Sequence, residues 1–162
     1  MANKALISIV MGSDSDLEIM KESASILKQF SIPYEMKILS AHRSPHETAI
    51  FSQNAEGRGI KAIIAGAGGA AHLAGVIASL TTVPVIGVPI ETKYLKGIDS
   101  LFSTVQMPGG VPVATMAIGK TGAKNAGLLA AQILALNDAS LQKALFNYKK
   151  KLRASIRLKN VE

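Results

Sequence analysis

The chain has 162 residues, 48% of them apolar and 18% charged, which fits one compact domain with a sizeable core and excludes a disordered chain. It contains no cysteine, so disulfides, thiolate chemistry, iron–sulfur clusters and cysteine-ligated zinc are excluded. The formal net charge is +7, but residues 1–138 are nearly neutral and the excess lies in residues 139–162, where seven basic side chains stand against one acidic one.

Apolar runs alternate with helical patterns along the chain. The run at 4–11 predicts a buried strand and not a signal peptide, and further strands are predicted at 33–39, 61–65, 83–88 and 113–118. Helices are predicted at 17–30, 44–56, 69–80, 98–105 and 123–137. This alternation predicts one doubly wound parallel sheet with helices on both faces. Such sheets bind ligands beyond the carboxyl ends of their strands, so the loops at 12–16, 40–45 and 66–72 are candidates for a site.

The tail at 139–162 has apolar residues at helical spacing among its basic ones, which predicts a basic amphipathic helix after a catalytic domain at 1–138. We expect the helix to pack on its own domain or on a neighbouring subunit. A tail that binds polyanions or a membrane is the alternative.

Two long stretches, 62–90 and 100–119, carry no formal charge. Glycines and prolines interrupt the first, so we interpret it as strand, helix and strand rather than a membrane span. So little polar surface in a small domain predicts burial between subunits, and hence a homo-oligomer.

The loop at 12–16 ends a strand and opens a helix. Ser15 and Glu18 have the spacing of a capping box, and this alone explains the polar residues. The same geometry can also form a phosphate-binding site, in which backbone N–H groups and the hydroxyls of Ser13 and Ser15 donate hydrogen bonds. Asp16 would repel a phosphate and suits ribose hydroxyls better. The sequence leaves both interpretations open.

In the loop at 40–45, Ser44 and Pro45 suit the start of a helix, and Glu47 completes a second capping box. These roles leave His42 and Arg43 unexplained. The helix dipole favours an uncharged imidazole there, which can accept a proton. Arginine binds phosphate or carboxylate groups. We therefore predict a functional pair, whereas His46 is expected on the surface.

The glycine-rich loop at 66–72 resembles a dinucleotide-binding fingerprint in its Gly66, Gly68 and Ala71, with Glu91 twenty residues further on. It stands in the third strand–helix unit, however, and the chain is short for that fold. The alternative is a glycine-lined backbone that lets a carboxylate or CO2-sized group approach N–H donors. His72 either contacts that group or serves to cap or pack. The histidines are too few and scattered to predict a metal site.

Four motifs stand in order along nearly the whole chain: MGSDSD at 11–16, SAHRSP at 40–45, AGAGGAAHL at 65–73 and QMPGGVPVAT at 106–115. Together they resemble the bacterial N5-carboxyaminoimidazole ribonucleotide mutases of de novo purine synthesis. The chain departs from the family pattern at Ala74 and Val76, where proline and methionine are usual, and at Glu91 and Thr92, where Gln-Ser is common. The segment after His72 resembles the mutases more than the carboxylases that take free CO2.

The resemblance implies an enzyme with a flavodoxin-like three-layer αβα sandwich, assembled as a homo-octamer. The cytoplasmic location is predicted from the composition and from the interpretation of the first apolar run as a strand. The implied substrate is a small ribonucleotide, with no cofactor, metal, nucleic acid or membrane involved. The carboxylate moves reversibly from the exocyclic N5 to ring carbon C4. The resemblance also implies a role for each site residue. His42 is expected to shuttle a proton. The ribose-phosphate is expected to bind to Ser13, Asp16 and Arg43, with help from Ser15, Ser40 and Ala41, and CO2 to be held near Gly68, Gly69 and His72. The segment 108–110 is expected to close a neighbour's site.

Overall fold

A computed structural model, which describes residues 4–157, contains one parallel sheet covered by helices on both faces. The strands are β1 (Ile7–Met11), β2 (Tyr34–Ile38), β3 (Ala62–Gly68), β4 (Val85–Ile90) and β5 (Ala114–Thr115). The helices are α1 (Leu17–Gln29), α2 (Pro45–Gln53), α3 (Leu73–Ser79), α4 (Ile98–Val105), α5 (Gly119–Ala135) and α6 (Ala139–Arg157). A single 3-10 turn, Asp14–Asp16, precedes α1.

The strand order in the sheet is β2-β1-β3-β4-β5, and every pair is parallel. The order changes direction at β1, which has β2 on one side and β3 on the other. Met11, the last residue of β1, pairs with Ile38 of β2 and with Gly66 of β3. The loops after these three strands therefore meet at one edge of the sheet, beside the switch point where ligands bind in such folds. The predicted flavodoxin-like architecture is confirmed.

Each face of the sheet has its own core. In β1 and β3, Ile9 and Ile64 belong to the cluster under α1, α5 and α6, whereas Val10 and Ile63 belong to the cluster under α2 and α3. All four side chains are fully buried. Strands that are buried on both faces cannot alternate apolar and polar residues, which is why the sequence shows continuous apolar runs.

Two glycines allow other elements to pack closely against helix α1, on the face of the sheet that α1 and α5 cover. A methyl group added at Gly66 of β3 would overlap the Met20 side chain of α1. One added at Gly127 of α5 would lie 2.9 Å from the Ser23 carbonyl oxygen of α1. At this contact the Ser23 hydroxyl donates a hydrogen bond of 2.6 Å to the Ala123 carbonyl, so the two helices are joined by a polar contact as well as by apolar packing.

Several predicted boundaries are wrong. Strand β3 continues to Gly68, three residues beyond the prediction, because Ala67 and Gly68 still pair with β4. Helix α3 consequently begins at Leu73 instead of residue 69. Strand β5 has two residues where six were predicted, and helix α5 begins at Gly119 instead of residue 123.

Helix α6 packs on its own domain through its first half. Leu141 and Leu145 are buried in the cluster under α5, and the rings of Tyr148 and Phe30 meet edge to face with centroids 5.8 Å apart. In the second half, Leu152 and Ile156 are exposed. The last five residues of the predicted tail helix, 158–162, lie outside the described residues. Within 4–157, no helix combines the length and the apolar character needed to cross a membrane.

Candidate active site

A cleft of about 530 Å³ opens at the carboxyl edge of the sheet, where the loops after β1, β2 and β3 meet the end of β4. Nine of the ten predicted site residues line it: Ser13, Ser15, Asp16, Ser40, Ala41, His42, Arg43, Gly68 and Gly69. The tenth, His72, reaches the cleft through a contact with His42. The three loops that the sequence indicated are thus brought together in one place.

The loop after β1 is organised by a capping box that differs from the predicted one. The Ser13 N–H donates to Asp16 Oδ2 at 3.1 Å, and the Ser13 hydroxyl accepts from the Ser15 N–H at 3.3 Å. The prediction that Ser15 and Glu18 form this box is wrong, because a 3-10 turn comes first and moves the cap two residues earlier. The Glu18 carboxylate instead pairs with Lys21 on the exposed side of α1.

Two carboxylates in this turn lie in opposite environments. Asp16 is buried, and the loss of solvent raises its pKa, although the Ser13 N–H and the Ser15 hydroxyl donate to it. Asp14 is exposed, and the hydrogen bond from the Ser13 hydroxyl lowers its pKa. Asp16 therefore presents its carboxylate to the cleft at a fixed position, where it can accept hydrogen bonds from ligand hydroxyls.

Ser44 closes the loop after β2 into a ring. Its hydroxyl donates to the Ser40 carbonyl at 3.1 Å and accepts from the Ser40 N–H at 3.0 Å. It makes no cap bond to α2, so the predicted capping box of Ser44 and Glu47 is wrong. Pro45 does occupy the first turn of α2, as predicted. The ring fixes the base of the loop and leaves His42 exposed near its middle.

Arg43 joins the loops after β2 and β1. Its Nη2 donates to the Gly12 carbonyl at 2.7 Å, and its Nε donates to the Ser40 hydroxyl at 3.4 Å. A guanidinium has five N–H donors, so three remain beyond these contacts. Because Arg43 lines the cleft, those donors can bind an anion there.

His42 and His72 are in direct contact. His42 Nε2 lies 2.9 Å from His72 Nδ1, and the two rings are nearly perpendicular. One ring nitrogen must donate and the other accept, so the two imidazoles share one hydrogen. Of the roles left open for His72, capping is excluded because its side chain makes no cap bond to α3. His46 is exposed, as predicted, and no cluster of three or more potential metal ligands occurs within residues 4–157.

The loop after β3 is held by helix α4. The Gly69 N–H donates to the Ser100 hydroxyl at 2.9 Å, and the Gly69 carbonyl accepts from the Ser103 hydroxyl at 3.3 Å. The Gly69 N–H is therefore already used within the fold. The next N–H along the cleft, that of Ala70, makes no hydrogen bond within residues 4–157. Sequence reasoning missed both serines, since neither lies in one of the three loops after the strands or in one of the four motifs.

The dinucleotide-binding interpretation does not fit this loop. That fingerprint needs its glycines in the turn between a strand and a helix. Here Gly66 and Gly68 both lie within β3, and Gly66 is required by the packing of Met20. The sheet also differs from the six-stranded dinucleotide-binding order.

The family model described as AIR carboxylase matches residues 6–155. The chain belongs to the AIR carboxylase family. The family membership predicted from the four motifs is confirmed, and the chain is accordingly an enzyme.

Individual relatives cover nearly the whole chain. The N5-carboxyaminoimidazole ribonucleotide mutase of Pyrococcus horikoshii is 55% identical over 155 residues, which are 96% of this chain and 86% of that protein. The mutase of the same name from Bacillus subtilis is 59% identical over 140 residues, 86% of each chain. The crystal structure of Treponema denticola PurE aligns with a TM-score of 0.86 at 30% identity and covers 96% of this chain and 99% of that one.

Proposed function

We propose that this AIR carboxylase family member interconverts N5-carboxyaminoimidazole ribonucleotide and 4-carboxy-5-aminoimidazole ribonucleotide, in purine biosynthesis. The observation that carries the proposal is the placement of His42 and Arg43 side by side on a rigid loop that lines the cleft. It combines a proton acceptor with an anion-binding group. The relatives from two organisms carry the name of this reaction.

The ribose-phosphate is assigned to the loops after β1 and β2. Arg43 supplies charged N–H donors for the phosphate, and the Ser13 and Ser15 hydroxyls lie at the neighbouring turn. Asp16 accepts from the ribose hydroxyls, because its buried carboxylate is held in place by the capping box. Ser40 and Ala41 form the floor between these groups. This arrangement leaves the aminoimidazole ring facing His42 and the glycine-lined loop.

The proposed chemistry balances without an added reactant. The bond between N5 and its carboxylate carbon breaks, which yields CO2 and the aminoimidazole. Carbon C4 then attacks the CO2, a carbon–carbon bond forms, and C4 carries both hydrogen and carboxylate. His42 removes that proton, and N5 gains one, so the proton count is unchanged. Holding the two fragments together is worth up to about 7–11 kcal/mol, and a positioned acid–base group contributes roughly 10²–10⁴-fold.

His72 supports His42 at the proton-transfer step. When His42 takes the proton from C4, both of its ring nitrogens become donors. Nε2 then donates to His72 Nδ1 across the 2.9 Å contact, in a hydrogen bond strengthened by the positive charge. His72 therefore provides a hydrogen-bond acceptor for His42 while His42 carries the transferred proton.

We also propose that the protein assembles into a homo-oligomer. The family resemblance indicates that the oligomer has eight subunits. Helix α4 and the segment before it expose large apolar side chains, namely Tyr94, Leu95, Ile98, Phe102 and Val105. A contiguous apolar face of this kind marks a protein interface more often than open surface. The exposed segment 108–110 is assigned to a neighbour's cleft. Light scattering of the purified protein measures the assembly, and a monomer at micromolar concentration would contradict it. The cytoplasmic location stays a prediction.

The reaction is tested by incubating the purified protein with the N5-carboxylated ribonucleotide, without added bicarbonate. We expect the C4-carboxylated product to appear much faster than in buffer. The His42→Asn variant should fold and bind the substrate but lose turnover by several orders of magnitude. His46→Asn is the matched control, since this exposed histidine lies four residues away on α2. Absence of product with the unmodified protein, or near-normal turnover in His42→Asn, would contradict the proposal.

A further inference from the structure

Ser100 joins the ends of two neighbouring strands from outside the cleft. Its side chain is fully buried on α4. The hydroxyl donates to the carbonyl of Ile90, the last residue of β4, at 2.6 Å. It also accepts from the N–H of Gly69, the first residue after β3, at 2.9 Å. Together these two bonds use the hydroxyl hydrogen and one oxygen lone pair.

Gly69 depends on these bonds for its position. Its φ angle of +69° lies in the left-handed region, and a methyl group added there would meet nothing within 4 Å. Among the described residues, no side chain other than those of its two chain neighbours packs over this side of Gly69, so packing does not hold the turn. Its N–H is held by Ser100 and its carbonyl by Ser103 and by the Ala71 N–H at 2.8 Å. Helix α4 thus supplies two of the three hydrogen bonds that fix this wall of the cleft.

We infer that Ser100 is a positioning residue that keeps CO2 in the cleft between its release from N5 and its capture by C4. The inference rests on the proposed function. Ser100 lies outside the cleft lining and acts through Gly69, which belongs to it. The groups assigned to the ribose-phosphate are on the other two loops, and the hydrogen bonds of Ser100 within residues 4–157 go to Gly69, Ile90 and Thr104 instead. Loss of its hydroxyl should therefore let CO2 escape without weakening substrate binding.

The measurement is the partition of the substrate between two fates. With the N5-carboxylated ribonucleotide as substrate, each turnover yields either the C4-carboxylated product or the decarboxylated aminoimidazole ribonucleotide and free CO2. After subtraction of the rate in buffer, we expect Ser100→Ala to raise the decarboxylated fraction at least threefold. Its kcat should fall, and its KM should stay within about twofold of the unmodified value.

Three further variants separate positioning from general damage to α4. Ser100→Thr keeps a hydroxyl and should restore much of the normal partition. Ser103→Ala removes the 3.3 Å bond to the Gly69 carbonyl, together with the 2.8 Å bond of the same hydroxyl to the Asp99 carbonyl within α4, and should give a smaller rise in CO2 escape. Thr104→Val is the matched control. Thr104 is also buried, one turn further along α4, but its hydroxyl donates to the backbone carbonyl of Ser100 and not to Gly69. It should lower the melting temperature without changing the partition.

An unchanged partition in Ser100→Ala overturns the inference, and so does an equal rise in Thr104→Val. If Ser100→Ala does not fold, the inference is tested with Ser103→Ala instead. A decarboxylated fraction in Ser103→Ala equal to that of the unmodified protein also overturns the inference. These results are distinct from a failure of the proposed function, in which the unmodified protein itself would form no C4-carboxylated product.

Discussion

His42 and His72 stand 30 residues apart in the chain, and their ring nitrogens lie 2.9 Å from each other. The residues follow β2 and β3, which are separated in the sheet by β1, so the contact passes over the end of β1. A hydrogen bond between two imidazoles needs a donor on one ring and an acceptor on the other. Two doubly protonated rings would have no acceptor, and the contact would be lost.

The first prediction concerns His72. We expect His72→Ala to lower kcat by about 10- to 100-fold with little change in KM, because the main loss is the partner of protonated His42. His46→Ala, which changes an exposed histidine outside the cleft, should leave both constants unchanged. Steady-state kinetics at neutral pH give the two values. A raised KM with normal kcat would instead indicate that His72 holds the substrate and does not assist His42.

The second prediction concerns Arg43, which binds the phosphate in our proposal. Arg43→Ala should weaken substrate binding by roughly 10- to 100-fold, since a hydrogen bond to a charged group is worth about 1.5–3 kcal/mol. Arg43→Lys keeps the charge but not the fork of donors, so it should recover only part of the affinity. Calorimetric titration with the ribonucleotide measures both. Equal affinity in Arg43→Ala and the unmodified protein would place the phosphate elsewhere.

The third prediction concerns Asp16 and pH. Burial raises the pKa of Asp16 in the folded protein above its ordinary value of 3.8, so the folded state binds this proton more tightly than the unfolded state. Its contribution to stability is therefore present at low pH and is lost as pH rises through the raised pKa. Asp16→Asn removes the titration and can keep the hydrogen bond from the Ser13 N–H.

Urea unfolding of both proteins between pH 4 and pH 7 tests this point. The stability of Asp16→Asn relative to the unmodified protein should increase with pH, while its substrate affinity falls because the ribose contact is weakened. Since only the difference between the two proteins is compared, the titration of carboxylates that do not interact with Asp16 cancels, and Asp14 is the neighbour that does interact. A difference in stability that stays constant over this range would refute the prediction.

The fourth prediction compares two glycines of β3. Gly66→Ala should lower the free energy of unfolding by about 1–3 kcal/mol, because its methyl group overlaps Met20 in a packed core. Gly68→Ala is the matched control in the same strand, since the nearest atoms to its methyl group are 3.7 Å away. It should cost well under the value for Gly66→Ala. Chemical denaturation gives both numbers, and equal losses would contradict the packing argument.

The sequence predicted the sheet well because its central strands, β1, β3 and β4, are buried on both faces. Continuous apolar runs such as 4–11 leave few alternatives to a parallel sheet, and β1 and β2 end within one residue of the prediction. The end of β3 was misplaced because alanine and glycine at 66–71 have the composition of a loop. Only the pairing of Ala67 and Gly68 with β4 makes this part a strand, and that pairing depends on residues 22 positions further along the chain.

The sequence predicted which residues form the site but not which residues they contact. His42 and Arg43 stood out because capping explained their neighbours and left them without a structural role. Their actual partners, His72 and the Gly12 carbonyl, depend on the strand order β2-β1-β3, which local patterns do not encode. Ser100 gave no signal at all, since a serine in an apolar helix is usually satisfied by its own backbone.

The position of α5 in the chain has a consequence for synthesis. The ribosome completes all three cleft loops before it reaches α4 and α5. Helix α5 covers one face of the sheet and packs against α1, so a nascent chain that ends before α5 lacks much of that core. We therefore expect the cleft to form only after translation has passed α5.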